Sequence, residues 1–140
     1  MPAPAELLQH FDAQYCLGAP QMDQTHREFL ECCVTTAQSR GSVFAENFRM
    51  LFEHTRQHFA EEERWMQETG YPALAEHRAN HQRTLGDMDR FCQRARAGRL
   101  AMAQAWLNDS LMEWFDLHAR TMDSALAAWL KQQGVTQGMS

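Results

Sequence analysis

Apolar residues recur at three- and four-residue steps along four stretches of the chain, the pattern of helices that each bury one face. From about Met22 to Gln38 the stripe is Met22, Phe29, Leu30, Cys33 and Ala37, with His26 on the same side. From Phe44 to about Thr69 it runs through Phe44, Phe48, Leu51, Thr55, His58, Glu62 and Trp65 or Met66. A third stretch, ending near Ala97, places His77, His81, Thr84 or Leu85, Met88, Phe91 or Cys92 and Ala95 inward. The fourth, from about Leu100 to Lys131, does so with Leu107, Leu111, Trp114 or Phe115, His118, Met122, Ala125 and Trp129. Gly41 and Ser42 end the first helix and cap the second, Gly70 stops the second, Pro72 suits the first turn of the third, and Gly98 closes it. Four helices with short connections predict an all-α fold, an up-down-up-down antiparallel four-helix bundle. Residues 1–20 hold three of the four prolines and scattered apolar side chains, and read as an N-terminal arm packed on the bundle. The bundle itself is expected over 21–133, with 134–140 as a C-terminal tail.

The polar members of these stripes carry the candidate chemistry. His58 and Glu62 are four residues apart, as are His77 and His81. In an α-helix that step leaves two side chains about 40° apart around the axis and roughly 6 Å along it, so each pair can aim at one point. A carboxylate in a core seam is expensive unless it meets a metal or a cation, which singles out Glu62. Its neighbours Glu61 and Glu63 turn aside and need be no more than solvated charge. His54 and His58 form a second pair with the same spacing, and spacing alone does not choose between them. An inward histidine such as His26 is by itself commonly a core residue, and Asp23, three residues earlier, is placed to orient its ring. Asp123 follows His118 by five residues, about 140° around an α-helix, so it would have to reach in from the side.

Composition narrows the field. Net charge is −5 and 44% of residues are hydrophobic, which gives no electrostatic reason for a nucleic-acid or anionic-membrane partner and argues against disorder. No apolar run approaches the length of a membrane span. The opening MPAPAELLQHFD lacks a basic-then-apolar leader, and Cys16, Cys32, Cys33 and Cys92 form no framework, so a cytoplasmic protein with reduced thiols is expected. The arginines at 90, 94, 96 and 99 crowd the end of the third helix, where cations are favourable.

All four helices offer an inward histidine. In an antiparallel bundle these fall at one level, near the start of the first and third helices and late in the second and fourth. Seven side chains, five imidazoles and two carboxylates without cysteine, suit two ions of iron, manganese or zinc better than calcium, magnesium or an iron–sulfur cluster. Two six-coordinate ions have twelve positions. Five histidines, two bridging carboxylates and a bridging oxygen species fill eleven, leaving one for a small ligand. No glutamate here has a histidine three residues later, unlike the carboxylate-rich di-iron proteins. A histidine-rich site carries less negative charge and should favour reversible ligand binding over substrate oxidation.

The segments LGAPQMDQTH, HFAEEERW, GYPALAEHRANH and WFDLHARTMD resemble the hemerythrin family, in particular its single-domain bacterial members, over about residues 14 to 130. The resemblance implies a non-haem di-iron centre that binds dioxygen reversibly. It implies that His77, His81 and His118 hold a coordinatively filled iron, that His26 and His58 hold the iron with the vacancy, and that Glu62 and Asp123 bridge. The family pattern HFxxEE selects His58 over His54. Relatives usually carry isoleucine where this chain has Ala119, and a smaller residue there is expected to widen the pocket and hasten autoxidation.

The expected function is therefore dioxygen carriage, storage or delivery rather than catalysis. Two alternatives use the same vacancy: an oxygen or redox sensor acting through a protein partner, and peroxide or nitric oxide handling, for which no general acid or base stands out beside the ligands and His54 is the candidate.

Overall fold

The structure, a computed structural model, describes residues 2–134. Met1 and 135–140, and with them all of the expected tail but Gly134, lie outside the described residues. Among the described residues the chain is entirely helical. Two short helices, α1 (Pro4–Gln9) and α2 (Phe11–Gln14), precede three long ones, α3 (Pro20–Gln38), α4 (Gly41–Thr69) and α5 (Leu74–Arg96). A final rod, α6, spans 100–132. In it α-helical segments alternate with two π-helical segments, Trp106–Leu111 and Ala119–Asp123. Connections of two to four residues turn each long helix back on its predecessor, which makes the bundle antiparallel.

The ends follow local chemistry, with small departures from expectation. Gly70 ends α4 at φ +69°, where its left-handed backbone lets Tyr71 N–H reach the Met66 carbonyl at 2.9 Å. Pro72 lies in the turn, and α5 starts two residues later at Leu74. Pro20 opens α3, earlier than the apolar stripe suggests. Ser42 sits inside the first turn of α4 and makes no cap.

The N-terminal segment is helical and docked. Leu7, Phe11 and Tyr15 are buried, Tyr15 O–H donates to Asp116 Oδ1 at 2.6 Å, and the Arg27 guanidinium lies 4.5 Å over the Phe11 ring. Lys131 Nζ donates to the Leu17 carbonyl at 2.6 Å, tying the segment to the end of α6.

The apolar core is in two parts. One gathers Phe29, Phe44, Phe48, Leu51, Met88, Leu107 and Leu111; the other gathers Met22, Trp65, Met66, Leu126 and Leu130. On each long helix the sequence passes from one part to the other through a buried polar stretch: His26 on α3, His58 and Glu62 on α4, His77 and His81 on α5, His118 and Asp123 on α6. The bundle thus encloses one polar layer between two apolar ones.

The fourth helix departs from its expected face. Beyond His118 the buried residues are Ala119, Asp123, Leu126, Ala127 and Leu130, whereas Met122 and Trp129 are only partly covered and Ala125 is exposed. The π segment at Ala119–Asp123 is the reason, because an extra residue in the turn rotates everything after it by about one position.

Candidate metal centre

The same π segment disposes of the angular problem at Asp123. Hydrogen bonding from i to i+5 makes five residues roughly one turn, so Asp123 falls below His118 instead of well round the helix. Asp123 Oδ1 lies 3.1 Å from His118 Nε2.

The structure brings together all seven residues singled out from the sequence, and the two carboxylates divide their oxygens between two sets of imidazoles. Glu62 Oε1 lies 3.4 Å from His77 Nε2 and 3.2 Å from His81 Nε2. Asp123 Oδ1 lies 3.2 Å from His77 Nε2, besides His118. On the other side, Glu62 Oε2 is 2.6 Å from His58 Nε2 and 3.3 Å from His26 Nε2, and Asp123 Oδ2 is 3.1 Å from His26 Nε2. Two ligand groups result, one of Glu62, His77, His81, His118 and Asp123 and one of His26, His58 and Glu62, each with its ligand atoms within 4.8 Å of one another.

Burial makes this arrangement costly without a cation. All seven side chains are buried, Glu62 completely. The Nε2 atoms of His77, His81 and His118, Glu62 Oε1 and Asp123 Oδ1 are sealed from solvent yet make no hydrogen bond. Five orphaned polar atoms converging in one place is the reverse of normal interior practice, and it is what a metal's ligand atoms look like when read as hydrogen-bonding groups.

Charge points the same way. Burial pushes Glu62 up, but the His58, His26 and His77 imidazoles outweigh it and hold the carboxyl well below the usual carboxylate range. Burial and the Glu62 charge raise Asp123, and His118 and His26 overcome both to lower it. Burial lowers His26, yet Asp123 and Glu62 lift it to about 10, and the same balance lifts His77 to about 9. Burial keeps His58 below its ordinary value. Two anionic carboxylates are thus answered by two protons, which occupy the role that cations would fill.

Outer partners set the imidazole tautomers. His81 Nδ1–H donates to Glu63 Oε2 at 2.9 Å, and His118 Nδ1–H donates to Asn80 Oδ1 at 2.7 Å, so in both rings the Nε2 lone pair is turned toward the centre. Asn80 Oδ1 also accepts from Trp114 Nε1 at 2.9 Å, and the Trp114 indole stacks on His118 with centroids 4.4 Å apart. Phe59 stacks on His81 at 3.8 Å. Glu63 is therefore no idle surface charge. Asn80 was missed from the sequence, although its place one residue before His81, on the flank of a chelating pair, was a usable signal.

One expectation changes. Asp23 does not orient His26; it accepts from Leu17 N–H at 2.8 Å and Gly18 N–H at 3.1 Å and so fixes the turn into α3. His54 stays outside both ligand groups, with its ring 6.5 Å from His58 and its Nε2 3.8 Å from Glu28 Oε1. A small pocket of ≈ 10 Å³ beside the centre is lined by Phe29, His58, Phe59, Trp114, Phe115, His118 and Asp123. Ala119 is wholly buried and is not among the residues that line this pocket.

An antiparallel four-helix bundle with a buried polyhistidine–carboxylate layer split by two shared carboxylates defines a cation-binding protein with a ligand set suited to two metals. Comparison with known proteins gives the family. The hemerythrin HHE cation-binding domain matches residues 17–130, and the chain belongs to the hemerythrin family. It is 31% identical over 118 residues to a bacteriohemerythrin of Ralstonia nicotianae, covering 84% of this chain and 85% of that protein. It is 30% identical over 120 residues to a bacteriohemerythrin of Stenotrophomonas maltophilia, covering 82% and 76% respectively. No solved structure matches the chain at a comparable level of significance. Among the described residues no helix is long and apolar enough to cross a membrane.

Proposed function

We propose that this protein binds dioxygen reversibly at a non-haem di-iron centre and serves in its carriage, storage or delivery. His77, His81 and His118 would hold one iron, His26 and His58 the other, and Glu62 and Asp123 would bridge them. Such a pair would supply an exchangeable coordination position and the electrons that a bound dioxygen molecule draws on.

The observation that carries this reading is the uneven division of imidazoles. The shared carboxylates face three nitrogens on one side and two on the other. A protein nitrogen is thus missing on the His26–His58 side, and His58 lines, with His118 and Asp123, the small pocket walled by Phe29, Phe59, Trp114 and Phe115. Aromatic walls exclude water and suit a neutral, apolar diatomic ligand. Among the ligand-flanking groups, Glu63 and Asn80 hold imidazole orientation and neither faces the pocket. This supports binding over catalysis.

The test is elemental analysis with absorption spectra of reduced protein before and after exposure to air. Two irons per chain and a charge-transfer band that disappears under vacuum and returns with oxygen are expected. Zinc occupancy, or a band that cannot be reversed, would overturn the reading.

A further inference from the structure

At the end of the bundle remote from the metal centre, the last turn of α5 and the turn that follows form a surface cleft of ≈ 300 Å³ lined by Arg90, Gln93, Arg94, Ala97 and Arg99. We propose that this cleft binds a small phosphate-bearing anion.

The sequence from 90 to 99, RFCQRARAGR, carries four arginines and no acid in a chain whose net charge is −5. A favourable interaction with the helix C-terminus accounts for cations in the last turn, but not for their convergence. Arg90 and Arg94 are four residues apart on one face, a like-charge spacing that weakens a helix unless an anion sits between them. Arg99 is brought back onto them by the backbone. Gly98 takes φ +88°, and Arg99 N–H bonds the Arg94 carbonyl at 2.9 Å, which folds the chain over the final turn. Arg94 is further held by its guanidinium lying 5.2 Å over the Phe91 ring, itself stacked on Trp106 at 5.3 Å.

Neutralisation within the protein is incomplete. Arg90 pairs with Asp87, while among the described residues Arg94 and Arg99 have no carboxylate within ion-pair distance. Three arginines around one cleft, two of them without a carboxylate partner, match the planar, multi-donor recognition that phosphate oxygens accept. Arg94 is thirteen residues along α5 from His81, about 20 Å, so the cleft and the metal centre are separate sites and can be tested separately.

The experiment is calorimetric titration of the full chain with pyrophosphate at low ionic strength, for the wild type, Arg94→Gln, Arg99→Gln and Arg83→Gln. Arg83 is exposed on the same helix but outside the cleft, so its variant controls for net charge. Saturable binding in the wild type and the control, weakened about tenfold or more in each of the other two and falling with added salt, is expected. Equal binding by all four proteins, or none at millimolar pyrophosphate, would overturn the proposal. So would binding of a polyglutamate peptide in preference to pyrophosphate, which would mark the cleft as a protein-docking patch.

Discussion

Asn80 is the residue whose removal most directly tests how the metal centre is held. It touches no ligand atom at the centre, but its Oδ1 accepts both His118 Nδ1–H and Trp114 Nε1–H. In Asn80→Ala both donors lose their partner. Trp114 is half-buried and recovers a bond to water, whereas His118 is buried, so the metal-free protein should lose about 1–2 kcal/mol of stability. The larger effect falls on metal retention. With Nδ1 unanchored, the ring loses its fixed tautomer and orientation, and loss of such an outer partner typically costs about 10- to 100-fold in affinity, or about 1.4–2.8 kcal/mol. Competition against a chelator of known affinity measures the metal term, and urea unfolding of metal-free protein measures the other. Asn80→Asp keeps an acceptor at the same position and should recover most of the affinity. If Asn80→Ala holds its metal within about twofold of wild type, or if the aspartate variant fares no better than alanine, the acceptor is not what positions His118.

Glu62→Gln keeps the shape but places N–H donors where one of the two oxygens stood, so elemental analysis should find no more than one metal per chain; two metals held at wild-type affinity would rule out a bridging role. In metal-free protein His26 and His77 are raised from 6.5 to about 10 and about 9, so the stability they supply is complete below pH 6.5 and lost as pH rises through 9 to 10. The unfolding midpoint should therefore drop over that window without metal, stay level with metal bound, and proton release should accompany metal uptake near pH 7. Ala119→Ile adds three carbons at a fully buried position away from the pocket lining, so thermal unfolding should show an overpacking cost of about 1–3 kcal/mol, and a stabilised variant would reveal a void at that position.

Much of the architecture is local and hence legible in the chain itself. Helical periodicity marks the four long helices, and Gly70 and Gly98 close two of them with positive φ because only glycine adopts that backbone freely. The i, i+4 spacing of His58 with Glu62 and of His77 with His81 is a property of any α-helix, so these pairs needed no tertiary information.

Three features are not local, and only packing decided them. The face of α6 beyond His118 depends on a π turn at Ala119–Asp123, a backbone choice without a composition signature, and a periodicity of 3.6 therefore misplaces Met122, Ala125 and Trp129. The roles of Asp23, Glu63 and Asn80 depend on which neighbour comes within about 3 Å, which spacing within one helix does not specify. Asp23 binds the turn at Leu17 and Gly18 instead of the His26 ring, and Glu63 binds His81 instead of standing free in solvent. Lastly, the way the two carboxylates together face three imidazoles on one side and two on the other is a relation among four helices. The sequence by itself determined which side chains face inward as far as His118, and at what level of the bundle the ligands lie. Only the tertiary structure decided which oxygen meets which nitrogen, because that is fixed by the relative rotation of rods whose contacts are far apart in the chain.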